Sequence, residues 1–468
     1  MSASRPVDAK VKIKPVFIQF VHSAAYEGPC RVGKREDLTP EADRHRGENR
    51  FNQFIQQLKK HVGADAELLE PTSLEWKDDF VVPTSELQRL EPDIYRADLV
   101  LLDSTGLPQY PSVSIAERYG KPIAMIGSLA AIDTAAYLRA RGLEGYVFLD
   151  YEDFNHFLSL LRVRKALQET RLLIATKGNL LTTGAVSSIY DLEELRRRYG
   201  VNHTLITTEE LLDAMRSLSP EQAQEAEQIA DELIANAEET QMRREDLLPS
   251  VRFYVATRQT LARYECNAFT LPCFEICRTQ VMEQERVVFC LSHTLLKDEG
   301  IPSACEGDVN VLMAMSVLMY LSKKSAHMGN TYPTDLENNI ISVHHDVPGL
   351  KMKGFGEPGL PYAIKNFTVA GWGATIRYDI SRDLGEAVTI ARFDPHGAKL
   401  LVASGEVTGC HGYLDVGCSL GYELRIKDAA GFYRSQQDFG VHFGLVFGDY
   451  VQDLKELGSL AGFEVIEA

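Results

Sequence analysis

No window of this 468-residue sequence reaches the roughly 18 consecutive apolar residues that a membrane span requires. Basic charge is also in short supply. With 49 Lys+Arg against 66 Asp+Glu, the net charge is −17. That argues against non-specific binding to nucleic acid or to an anionic membrane, both of which need basic surface. The segment Met1 to Lys14 is polar and lacks the apolar centre of a secretory signal, so a cytoplasmic protein is expected. Up to about residue 350 there is no G-x-G-x-x-G, no G-x-x-x-x-G-K-[ST] and no G-x-S-x-G elbow. Nucleotide-binding and serine-hydrolase readings therefore find no support in that region. The H-E-x-x-H zinc pattern is absent throughout. No internal repeat, low-complexity segment or long linker interrupts the chain.

What is present is ordinary globular material, 45% hydrophobic and 25% charged, in a chain long enough for two or three domains. Strand and helix signals alternate first. Pro15–Val21, Ala97–Asp103 and Pro122–Ile126 read as buried strands, and Phe51–Val62 and Ile115–Tyr119 as helices. A second such unit starts at Arg171, with a helix over Asp191–Tyr199 and a strand over His203–Thr207. Ser219-Pro220-Glu221-Gln222 has the capping hydroxyl, early proline and third-position Gln of a helix start. Further on, Val251–Tyr264 is helical in pattern, and Phe269–Leu271 and Val287–Leu291 are strand candidates. After about residue 350 short runs alternate with Gly, Asp and Pro: Phe367–Trp372, Ala374–Tyr378, Ala387–Phe393, Lys399–Val407 and Tyr422–Ile426. The pattern predicts an α/β fold: two consecutive Rossmann-like, doubly wound units (1–165 and 166–350), then a C-terminal antiparallel β-barrel-like domain (351–468).

The eight cysteines lack the paired C-x₂-C spacing of zinc knuckles and are expected to be reduced core thiols. Ser104-Thr105-Gly106 after a strand could hold an anion but is more simply a turn. Chemistry concentrates elsewhere. Glu306 and Asp308 stand where the apolar run Val309–Leu321 begins, and a helix N-terminus holds carboxylates ionised. Val343-His344-His345-Asp346 sets two imidazoles beside an acid, and His442 lies in an apolar, glycine-rich stretch. Carboxylate and imidazole together make a divalent-metal site the first expectation. Arg31 and Arg278 are candidates to face an anionic substrate group.

Three blocks carry a family resemblance: Pro302-Ser303-Ala304-Cys305-Glu306-Gly307-Asp308 followed by His327-Met328-Gly329-Asn330; Val388–Phe393 leading to Lys399–Val402 and Gly405–Val407; and Val441-His442-Phe443 with Gly448-Asp449. Together they resemble the L-fucose isomerase / L-arabinose isomerase superfamily, most specifically from about residue 270 onward.

The resemblance implies aldose–ketose isomerisation of a sugar through an enediol with a manganese-type divalent ion, in a homo-oligomer, a trimer or hexamer. It makes Glu306 the metal-binding, proton-shuttling acid and His442 a ligand. His344 matches a histidine that ligates the ion in some relatives and lines the site in others. The family's second metal-site acid falls near Asn330, whose carbonyl can ligate a hard cation but cannot accept a proton. The expected set is therefore Glu306 and Asn330 for catalysis, those two with His442 for the metal, and His344, His345 and Arg31 for substrate. Asp308, Asp346 or a histidine could substitute for the missing acid. The alternatives are a metal-assisted lyase, epimerase or oxidoisomerase on a modified or acidic sugar, or a carbohydrate-binding relative without chemistry.

Overall fold

A computed structural model describes residues 5–28, 31–77, 82–177 and 184–468. The chain forms two compact units, Ala9–Arg162 and Val163–Ala468, the latter taking Met1–Asp8 with it. The first unit is a parallel sheet. Its strands are β1 (Val11–Phe20), β2 (Ala66–Leu68), β3 (Thr72–Trp76), β4 (Leu99–Ser104), β5 (Ile123–Ile126) and β6 (Gly145–Phe148). The order is β2-β1-β4-β5-β6, with β3 also pairing with β1. Runs such as Leu99–Leu102 are buried on both faces, as strands covered by helices on either side must be. The winding reverses between β1 and β4. The long helix α1 (Pro40–His61) follows β1, with Thr39 capping its first turn.

In the second unit a smaller parallel sheet has the order β10-β9-β7-β8, from β7 (Arg171–Thr176), β8 (Asn202–Thr207), β9 (Ala268–Thr270) and β10 (Ser303–Ala304). Helix α2 (Pro220–Asn236) starts with a complete capping box: Ser219 caps the Gln222 backbone and Gln222 returns the bond to Ser219. The Val287–Leu291 run, expected as a strand, instead leads into a helix over Cys290–Asp298. Short apolar runs do not distinguish the two, and here burial inside the unit selects the helix.

The third sheet is mixed. It comprises β11 (His327–Asp335), β12 (Ile340–His344), β13 (Ala387–Phe393), β14 (Lys399–His411), β15 (Gly421–Ile426), β16 (His442–Phe447) and β17 (Glu464–Glu467). The order is β13-β16-β11-β12-β15-β14-β17, and β13 also pairs with β14, which brings the ladder back to its first strand. All pairings are antiparallel except β14–β17, so the sheet is not the purely antiparallel one expected. Two of its strands lie upstream of residue 351. The Phe367–Trp372 run is a turn closed by Thr368 rather than a strand; the strand there is Ala363–Asn366.

Helix α3 (Val309–Ser322) is buried on every face from Val309 to Tyr320, as expected for a helix apolar all round. It lies against β16 closely enough that a Cβ on Gly444 would meet Met315 Cγ at 2.8 Å. Two motif strings beyond residue 350 have the wrong setting for their usual chemistry. Gly354–Gly359 spells G-x-G-x-x-G but runs through turns without opening a helix. Gly417–Gly421 spells G-x-S-x-G but leads into a strand, and the Ser419 hydroxyl bonds carbonyls of Gly412 and Gly417 rather than a histidine.

Candidate metal centre

The centre is built at the turn from β10 into α3. Glu306 and Gly307 have φ of +63° and +68°. The left-handed region is costly for a residue with a side chain, and this turn holds Glu306 there, just ahead of the helix. Asp308 then caps α3, its Oδ1 accepting from Val311 N at 3.2 Å. Its other oxygen accepts from Arg392 Nη1 at 2.7 Å and His442 Nδ1 at 2.9 Å. Burial works against charge on Asp308, but Arg392 and His442 outweigh it and hold the carboxyl well below the usual range.

His442 opens β16 and His345 directly follows β12, so two strands deliver imidazoles to the helix mouth. His345 Nε2 lies 3.1 Å from Glu306 Oε1, and His442 Nε2 lies 3.6 Å from Glu306 Oε2. All three residues are buried, at 6% exposure or less. Burial again opposes the charge on Glu306, while His345 and His442 keep its pKa below the ordinary value. His345 is raised to about 9: burial alone would lower it, but the Cys418 thiol and Glu306 reverse the sign.

The chemistry of the donors fits a divalent cation. One atom from each of Glu306, His345 and His442 falls within 4.8 Å of the others. Although buried, His345 Nδ1 and His442 Nε2 have no hydrogen-bond partner. The ionised Asp308 can only accept from His442, which places a proton on Nδ1 and leaves Nε2 turned toward Glu306. A carboxylate behind a histidine whose far nitrogen is free is the arrangement that orients metal-ligating imidazoles. A carboxylate with two imidazoles suits manganese, iron, cobalt or zinc.

Asn330 on β11 is directly opposed to His442 on β16 and to His344 on β12. The structure therefore sets Asn330 beside His442, with His344 one strand further along the same face of the sheet. His344 is partly exposed, and burial and the neighbouring His411 push its pKa down. His345, expected on the substrate side, stands within the cluster. Neither acid considered as a replacement is free. Asp308 is committed as described, and Asp346 Oδ2 takes Arg377 Nη2 at 2.7 Å with both side chains fully buried. Arg31 belongs to the other compact unit, where it is buried and paired with Asp43. Arg278 is exposed beyond the short Cys273–Cys277 helix.

Sequence reasoning missed Arg392, Arg377 and His411. Arg392 did leave a signal, a lone cation in the apolar strand Ala387–Phe393, since buried charges are paired. Cys30 lies outside the described residues, and the other seven cysteines are free. Cys277, at the end of its short helix, and Cys418 are exposed, so the expectation of core thiols fails for those two. Cys273 and Cys305 place their sulfurs 3.4 Å apart.

Fold and site together define an α/β protein with a buried carboxylate–bis-imidazole centre between a central helix and a mixed sheet. No protein-family model matches the chain. It is similar to proteins named sulfoquinovose isomerase. Those of Priestia aryabhattai and Priestia megaterium (strain ATCC 12872 / QMB1551) are each 24% identical over 326 residues, covering 66% of this chain and 66% of the relative. That of Alkalicoccus urumqiensis is 25% identical over 232 residues, covering 46% of this chain and 47% of the relative. The chain thus spans just under two thirds of the length of the first two and about half of the third. Among the described residues, no helix is long and apolar enough to cross a membrane.

Proposed function

We propose that the chain is a metal-dependent aldose–ketose sugar isomerase working through an enediol, with Glu306, His345 and His442 holding a divalent ion. One observation carries this reading. A buried carboxylate faces two buried imidazoles, each with a nitrogen lacking a hydrogen-bond partner, an arrangement that costs stability unless something occupies it. The similarity to sulfoquinovose isomerases supports a sugar as substrate. Manganese, a homo-oligomer of three or six chains, a cytoplasmic location, the divisions near residues 165 and 350, the Rossmann-like character of the α/β units and the barrel-like form of the last sheet belong to the same proposal.

When bound, the ion polarises the sugar's carbonyl and adjacent hydroxyl oxygens, making the intervening carbon acid stronger. The remaining work falls to side chains of this chain. Glu306 is ionised and removes the proton beside the carbonyl. After exchange with solvent at the carboxyl, Glu306 can deliver a proton to the neighbouring carbon while the hydroxyl proton passes by way of water to the former carbonyl oxygen, which completes the exchange of aldehyde for ketone. His345, bonded to Glu306 Oε1, keeps that carboxylate turned toward the substrate. Asp308 fixes the tautomer of His442, and Arg392 holds Asp308 ionised. Asn330 offers an amide where a second acid would otherwise stand, so a single carboxylate carries the proton.

The test is product analysis in D₂O. The manganese-loaded protein should convert an aldose to its ketose with solvent deuterium entering at the carbon that gains the proton. Dialysis against a chelator should abolish turnover, and manganese should restore it. Full turnover in the chelated protein would sink the proposal.

A further inference from the structure

His442 is also the first member of a longer polar row. In the mixed sheet His442 on β16 is opposed to Asn330 on β11, Asn330 to His344 on β12, His344 to Gly421 on β15, and Gly421 to His411 on β14. Directly opposed residues share a face, so His442, Asn330, His344 and His411 line up across five strands. Neighbouring strands lie about 4.8 Å apart, which puts His344 about 10 Å from His442. Exposure grows along the row. His442 is 1% exposed, Asn330 and His344 are intermediate, and the His411 side chain is 36% exposed. The buried end holds the candidate metal ligands, and the far end meets solvent.

Gly421 gives His411 its place. An added Cβ there would stand 2.3 Å from His411 Cε1 and 2.7 Å from His344 Cβ. Without one, the His411 ring leans across β15 until its centroid is 5.9 Å from that of His344. Ser342, two residues before His344 and on the same face, lies between them. Its Oγ is 3.1 Å from His344 Nδ1 and 3.2 Å from His411 Nε2. The row itself contains no lysine or arginine. Its amide, hydroxyl and imidazoles give and take hydrogen bonds, and Glu423 Oε1, 4.0 Å from His411 Nδ1, adds an acceptor at the solvent end, the chemistry that reads hydroxyl groups.

We infer that His411, positioned by Gly421 and Ser342, is a specificity residue that hydrogen-bonds hydroxyls on the carbons beyond the reacting pair of an open-chain sugar. This rests on the isomerase reading, because the carbonyl end must sit at Glu306. A sugar lying along the row then extends from the buried cluster toward His344 and His411, and a chain of four carbons stops short of them.

Calorimetric titration of the full-length, manganese-loaded protein with sorbitol (six carbons) and erythritol (four) tests it. The wild type should bind sorbitol more tightly. His411→Ala should lower the sorbitol-to-erythritol affinity ratio about tenfold, the effect of losing one good hydrogen bond. Gly421→Ala, which forces the ring aside, should lower the ratio in the same direction. A ratio unchanged in both variants overturns the inference. Glu306→Gln separates the two levels, since it should weaken both polyols alike. If it leaves both affinities intact, the isomerase reading itself is what fails.

Discussion

Two buried acids, Asp43 in the first compact unit and Glu306 in the second, show how differently a carboxylate can be used. Asp43 sits in the first turn of α1. Its oxygens accept from both terminal nitrogens of Arg31, at 3.0 and 3.1 Å, and from Arg46 Nη2 at 2.6 Å. They also accept from the backbone and ring of His22. Burial opposes its charge, but Arg31 and His22 prevail, and its pKa falls to about 2. Glu306 is similarly buried, yet among the described residues its charged partners are two histidines and no arginine or lysine. An acid held by arginines is finished as a structural element. An acid held only by imidazoles with free nitrogens has capacity left for a cation.

The largest expected effect comes from removing that capacity. Glu306→Gln should cut turnover on the order of 10³-fold, within the range of lost acid–base catalysis, and should abolish stoichiometric metal binding in elemental analysis. Its melting temperature should fall, because the buried His345, whose pKa Glu306 helps to raise to about 9, loses its carboxylate partner. A metal-loaded Glu306→Gln protein would erase the distinction from Asp43.

Asp308→Asn is the next largest, and it mixes both uses. Asn is as good a helix cap as Asp, so α3 keeps its start. Arg392, fully buried, loses its counter-charge, which should cost about 3–5 kcal/mol of stability. His442 loses the carboxylate that fixes its tautomer, and metal affinity should fall about 10–100-fold. Thermal melts and metal titration read the two effects separately. An unaltered metal affinity would make Asp308 purely structural, like Asp43.

Much of this was legible in the sequence because it depends on local pattern. Buried strands such as Leu99–Ser104, the capping box at Ser219 and the acids at the mouth of α3 each show in a few neighbouring residues. Strands β11 and β12 were not legible. His327, Gly329, Asn330, Pro333 and Asp335 on β11 break the alternation that marks a strand: His327 is buried against Tyr422, Asn330 stands opposite His442, and the register shifts between Pro333 and Asp335. The pairing of Asp308 with Arg392, 84 residues apart, comes from the start of α3 meeting a strand of the mixed sheet, and that of Asp346 with Arg377 from a tertiary contact between segments 31 residues apart. No spacing rule encodes either, so both acids could pass in the sequence as free proton acceptors. His411 was hidden for the same reason, since only the register through Gly421 brings it to His344.

The smallest effect isolates the structural acid. Asp43→Asn should lower stability by about 2–3 kcal/mol through lost bonds to charged groups, with metal affinity untouched. Because the folded pKa of Asp43 is about 2 against an ordinary 3.8, its ionised form stabilises the fold above the unfolded value. That contribution is fully present above about pH 4 and is lost as the pH falls toward 2, and it is on the order of 2 kcal/mol. Wild type and variant should therefore differ most in denaturant melts near neutral pH and draw together by that amount in acid. A gap that stays constant from pH 6 to pH 2 would mean that the arginines around Asp43 do not act through its charge. The contrast with Glu306 would then have to rest on geometry alone.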